Sequence, residues 1–354
     1  MSNDPTSKSV LVTGANGYIG GAVARSFARK GWNTYGLVRS DRHTLALARD
    51  EVMPVVGNFC DQTFPFLHKL ASQGVTFEAV VSTTEQLDNY VAHYEDTVKL
   101  LRKAAELSVS AGKEKPLVIF TSGCKDYGWM EGVNAETPNL QPHTETSPLN
   151  PPPVLANRTN YALRIFDCFE SFDAAVVRPT NVYGLGSSYY SVFFKKAVEA
   201  KEKGVLEFDE DPKTILHAMH VDDCGDAYVA LVELGLKERS KFRGECFNIS
   251  SYRYETLEET ADGLVREYGI EGGAIFKPDV WPEGDRPDVN FARVIFGFGQ
   301  WVGSEKLRNL TGWKESRPLF SRALERYRLA YEAALVAGGA GDESVRLLKT
   351  RFSD

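Results

Sequence analysis

Six largely unbroken apolar runs mark the first half of the chain: SVLVT at 9–13, TYGLV at 34–38, VMPVV at 52–56, EAVVS at 78–82, LVIFT at 117–121 and AAVVRP at 174–179. A strand with one wet face alternates apolar and polar residues. Continuous runs of this length predict strands covered on both faces, as those of parallel sheets are. Helical stretches lie between them, notably 20–30 and the long 88–111. Strand and helix in turn imply β-α-β crossovers and an α/β fold, a doubly wound parallel sheet of the Rossmann kind.

After about Gly184 the rhythm changes. Helical patterns at 190–203, 223–236, 257–268 and 318–335 are joined by irregular segments rich in Pro, Gly and Asp. The expectation is a dinucleotide-binding core over 1–184, whose first eight residues form a disordered tail, and a smaller mixed lobe over 185–336. Short strands at 217–221 and 246–250 are expected to return to the sheet. The glycine-rich 337–342 predicts a flexible break before a last helix at 343–351.

Composition narrows the classes. Of 354 residues, 43% are apolar and 25% charged, and the net charge is −7, which disfavours a nucleic-acid surface. No apolar run reaches the roughly 18–20 residues of a membrane span. The start, MSNDPTSK, lacks a secretory apolar core. Cys60, Cys124, Cys168, Cys224 and Cys246 lie far apart, and no H-E-x-x-H occurs. Together these predict a cytoplasmic protein with reduced thiols, no metal and no membrane partner.

The stretch VLVTGANGYIGG holds the candidate chemistry. Gly14, Gly17 and Gly20 follow a strand and open a helix at G-x-x-G-x-x-G spacing, with Thr13, Asn16, Tyr18 and Ile19 in the same loop. Such a turn brings a helix N-terminus up to a pyrophosphate. The second strand ends GLVRSDR, with Val38 where an acid would bind an adenosine 2′-hydroxyl and Arg39 and Ser40 next. A guanidinium there suits a 2′-phosphate, so NADP(H) is expected over NAD(H).

With Thr13 and GYIG, this loop resembles that of the extended short-chain dehydrogenase/reductase family, the NAD-dependent epimerase/dehydratase type. The likeness continues through VVGNFCD, VVSTT, VVRPTNVYG, HAMHVDDCGDAYVALVE and SEKLRNLTGW. It implies adenine contacts at Asn58 and Phe59, and phosphate or ribose contacts at Ser82 and Thr83. It places Thr121, Asn160, Arg178, Pro179, Thr180 and Asn181 around the nicotinamide end.

The resemblance also implies a tyrosine, a lysine four residues later that lowers its pKa and holds the ribose, and a serine or threonine on the same substrate oxygen. Matched on Tyr127-Gly128, the hydroxyl position falls on Gly123, with Ser122 one residue short. Matched on PLNP, the tyrosine position falls on Leu155 or Ala156 and the lysine position on Thr159 or Asn160. Tyr161 comes too late, facing roughly 100° from Asn160 on a helix. The acid pair of the dehydratase branch is replaced by Cys124 and Lys125.

The candidate catalytic residues are therefore Ser122, Lys125, Tyr127 and Tyr161, with Arg158 and Tyr183 nearby as packing or solvated groups. The expected function is an atypical NADP(H)-dependent oxidoreductase acting on a small organic substrate. Tyr189, Tyr190, Phe193, Phe194, Trp281 and Trp301, with His217, His220 and Arg286, favour an aromatic or polyketide-like molecule. A non-redox isomerase, epimerase, lyase or cyclase is the alternative, and a nucleotide-binding protein without catalysis the third. The amphipathic 324–336 serves the lobe or a homodimer contact.

Overall fold

The computed structural model describes residues 8–130, 132–186, 189–278 and 295–337. The first residues of the tail, Trp281, Arg286 and the expected last helix lie outside the described residues. The apolar runs become β1 (Ser9–Thr13), β2 (Asn33–Val38), β3 (Met53–Val56), β4 (Ala79–Ser82), β5 (Leu117–Thr121) and β6 (Asp173–Pro179). Between and after them run α1 (Tyr18–Arg29), α2 (Thr44–Arg49), α3 (Pro65–Ser72), α4 (Tyr90–Ser110) and α5 (Ala156–Leu163). The second half supplies β7 (Asn181–Tyr183), α6 (Ser191–Lys203), β8 (Leu206–Phe208), β9 (Ile215–Leu216), β10 (Ala218–His220) and α7 (Val221–Lys237). It continues with β11 (Cys246–Ile249), β12 (Glu255–Thr256), α8 (Leu257–Tyr268), β13 (Ala274–Phe276), α9 (Glu305–Thr311) and α10 (Leu324–Val336).

Seven parallel strands form the central sheet in the order β11-β6-β5-β4-β1-β2-β3. Val10, Leu11, Val12, Val80, Val81, Val118 and Ile119 are wholly buried, as the unbroken runs require. One face packs on α1 and α7, the other on α3, α4 and α5. The strand order reverses between β1 and β4, which opens a crevice at their C-terminal ends. A third core, rich in aromatics such as Tyr183, Phe193 and Phe320, holds the lobe together. No helix among the described residues is long and apolar enough to cross a membrane.

Two elements differ from expectation. Of the two strands expected to return, Cys246–Ile249 joins the sheet beside β6, whereas Ala218–His220 pairs only with Asn181–Tyr183. The chain leaves the extended form at Val221 because the His220 imidazole accepts the Asp222 N–H and caps α7. That helix packs along α1, with Arg25 on Asp222 and Arg29 on Asp226, so it covers the sheet instead of the lobe.

Candidate functional site

At the end of β1 the backbone turns through Gly14 at φ +66°, and Gly17 stands at the N-cap of α1. No side chain caps this helix and its first turn carries no acid, so its free N–H groups form a seat for an anion. Asn16 and Gly17 are exposed beside it, while Ile19 packs into the core. Position 20 admits only glycine: a Cβ there would lie 2.2 Å from the Gly14 carbonyl oxygen and 2.5 Å from Thr83 Oγ1. The Thr83 hydroxyl donates to the Thr13 carbonyl at 2.6 Å and its N–H to Thr13 Oγ1 at 3.4 Å, joining the ends of β1 and β4. Ser82 is buried at the end of β4. Tyr18 points the other way and donates its phenol proton to the Gly184 carbonyl.

At the end of β2, Arg39 is exposed and Ser40 caps a short turn that adds Asp41, Arg42 and His43. Asn58 is exposed and accepts the Cys60 N–H at 3.1 Å. Phe59 lies parallel to His93 of α4, with ring centroids 5.8 Å apart. The His93 ring bonds the Thr84 hydroxyl at 3.1 Å, and burial lowers its pKa, keeping the ring neutral. His93 gave no sign of this role in the sequence, where it is one polar residue in a long helix.

The region expected at the nicotinamide end centres on Asp126, which is wholly buried. Its Oδ1 accepts from Arg158 Nε at 3.2 Å, Arg158 Nη2 at 2.8 Å and the Thr159 hydroxyl at 2.9 Å. Its Oδ2 accepts from the Ser122 hydroxyl at 2.5 Å and Arg178 Nε at 3.3 Å. Burial opposes the charge on Arg158, but Asp126 and then Glu85 outweigh it and hold the guanidinium pKa above its ordinary value. Gly123 leaves room for this: a Cβ there would stand 3.3 Å from Arg158 Nη1 and Nη2. A guanidinium on its carboxylate thus fills the region where the resemblance implies a phenol, an ammonium and a hydroxyl. Arg158 was read as a packing or solvated group and Asp126 was not singled out, because their charges meet only through the fold.

The candidate catalytic residues separate accordingly. Ser122 is spent on Asp126. Tyr127 donates to Asn248 Oδ1 at 2.7 Å, accepts from Arg178 and stacks on His143, and burial pushes its phenol up to about 12. Tyr161 packs edge-to-face on Tyr94 of α4, with Arg164 over its ring. Lys125 has its ammonium 3.7 Å from the centre of the Phe298 ring. No carboxylate among the described residues pairs with Lys125, and burial draws its pKa down to about 8, with Cys124 opposing.

Of the remaining expected contacts, Thr121 is bonded to Tyr228 of α7 at 3.0 Å, and Asn160 is exposed on α5. Pro179 is buried at the end of β6. Thr180 donates its N–H to the Ile249 carbonyl, its hydroxyl has no hydrogen-bond partner among the described residues, and Asn181 starts β7.

Comparison with known proteins fits this architecture. No curated protein matches the chain by sequence. The dTDP-glucose 4,6-dehydratase of Bacillus anthracis, solved in complex with NAD, shares the fold at 17% identity and a TM-score of 0.65, over 92% of this chain and 97% of that one. The UDP-Glc/GlcNAc 4-epimerase of Campylobacter jejuni does so at 18% identity and 0.65, over 92% and 99%. The UDP-glucose 4-epimerase of Thermotoga maritima, solved with UDP-glucose, gives 17% and 0.64, over 92% and 99%. The model of the NAD dependent epimerase/dehydratase family matches residues 10–249, which hold the glycine loop, the crevice and the Asp126 cluster, and the chain belongs to that family of enzymes.

Proposed function

We propose that the chain binds NADP(H) along the crevice between β1 and β4 and acts as an oxidoreductase on a small organic substrate, with Lys125 as its proton-transfer group. The observation that carries this reading is the uncapped N-terminus of α1 set beside a β2 end bearing Arg39, Arg42 and His43, with Val38 in place of a carboxylate. The free N–H groups fit a pyrophosphate, and the Arg39 fork fits a 2′-phosphate. The half-buried His93 ring, backed by Phe59, is the surface we assign to the adenine.

When bound, the cofactor supplies or accepts the hydride. Proton transfer then falls to the chain. Ser122 and Tyr127 already donate inward, and Tyr161 packs on α4, whereas Lys125 at about 8 passes between ammonium and amine near neutral pH. Its ammonium gives a proton to a substrate oxygen in reduction, and the amine takes it back in oxidation. Trp129 stacked on Phe298 beside Lys125 supports a flat, aromatic or polyketide-like substrate.

The test is a fluorescence titration with NADPH and with NADH. Arg39→Ala is expected to weaken NADPH at least about tenfold, as one lost charge-assisted contact implies, and NADH less than twofold. Equal losses for both nucleotides would remove the phosphate role from Arg39. An isomerase, epimerase, lyase or cyclase on the same scaffold would turn over substrate without net change at the nicotinamide absorbance band.

A further inference from the structure

We propose that Arg158 is the substrate-positioning cation of this site, its outer edge taking a carboxylate or enolate-type oxyanion in place of Glu85. The inference builds on the proposed function by naming the chemical class of the substrate. A guanidinium presents five N–H donors in a rigid plane, so fixing one edge aims the other. In Arg158 the Nε and Nη2 edge is clamped to Asp126 at 3.2 and 2.8 Å. Nη1 reaches only Glu85 among the described residues, at 3.6 Å, which is beyond hydrogen-bond length.

Glu85 sits in the loop after β4 with its side chain 39% exposed. An ion pair that long, with one partner that exposed, is weak, so a better-placed anion displaces it. A bidentate carboxylate is such an anion. Gly123 provides the space, since any side chain there would press on Nη1. The surrounding charge points the same way. Arg158 and Arg178 share Asp126 as their carboxylate, and the Tyr90 phenol beside Arg158 is held protonated by its burial. With Glu85 displaced, an anion on Nη1 restores the second negative charge that Arg158 has in the free protein.

Oxalate, a planar dianion, is the probe, titrated calorimetrically into the full chain saturated with NADPH. Glu85→Gln removes the competing carboxylate from an exposed loop and is expected to tighten oxalate at least threefold. Arg158→Lys keeps a charge beside Asp126 but loses the fork, and is expected to weaken oxalate about tenfold with NADPH affinity kept within twofold. Failure of oxalate to bind Glu85→Gln, or equal oxalate affinity in wild type and Arg158→Lys, would overturn the assignment. Either result leaves the cofactor reading standing, because that reading is judged by Arg39→Ala on nucleotide affinity alone.

Discussion

Asp126→Asn is expected to cost about 3–5 kcal/mol of folding free energy, because it removes the carboxylate from between two buried guanidinium groups. Asp126 accepts five hydrogen-bond contacts, from Ser122, Thr159, Arg178 and two nitrogens of Arg158. The amide keeps the shape but neutralises the charge and turns one acceptor into a donor. Arg178, with side-chain exposure of 2%, would be left with dipoles such as the Tyr127 hydroxyl. Urea unfolding measures the loss. The double variant Asp126→Asn, Arg158→Gln should recover part of it, since neighbours in one network couple by about 0.5–3 kcal/mol. A single-variant loss below about 1 kcal/mol would show that water reaches the cluster and that the charges do not depend on each other.

The second large effect is expected on acidification. His217 accepts the Val302 N–H at Nδ1, and its Nε2 bonds the Ser251 carbonyl at 3.1 Å, so the fold needs the neutral ring. Burial brings His217 down to about 4 from 6.5, and His220, which caps α7, also to about 4. A folded pKa below the unfolded one means that the unfolded chain takes up the proton first. Stability is therefore full above pH 6.5 and falls as pH drops towards 4. At pH 5 each histidine contributes a loss of about 2 kcal/mol by linkage. Asp223 and Glu255, whose pKa values burial raises, act in the opposite sense and offset part of this. Urea midpoints should thus be clearly lower at pH 5 than at pH 7. Equal midpoints would mean that neither ring is held neutral by the fold.

The sheet was legible because burial on both faces writes itself as continuous apolar runs, and β1 and β5 appear at their observed bounds. The glycine loop was legible because a local turn needs local residues. What could not be read is what the fold assembles from afar. His217–Val221 has the composition of a strand, but its last residue opens a helix once His220 caps it. Asp126 and Arg158 are separated by 32 residues and pair only because the fold brings the turn after β5 to the first turn of α5. The sequence placed neither a phenol nor an ammonium where the resemblance implies them, and it gave no sign of the Asp126–Arg158 pair.

Gly123 and Arg158 also constrain what mutation can do to this protein. A serine at 123 would place a Cβ 3.3 Å from the guanidinium while Arg158 remains. Replacing Arg158 first strands Asp126 in the interior, and replacing Asp126 first strands Arg158 and Arg178. Each of these single substitutions is thus expected to destabilise the protein. The members of the cluster are therefore coupled, and substitutions there are expected to be tolerated together better than one at a time.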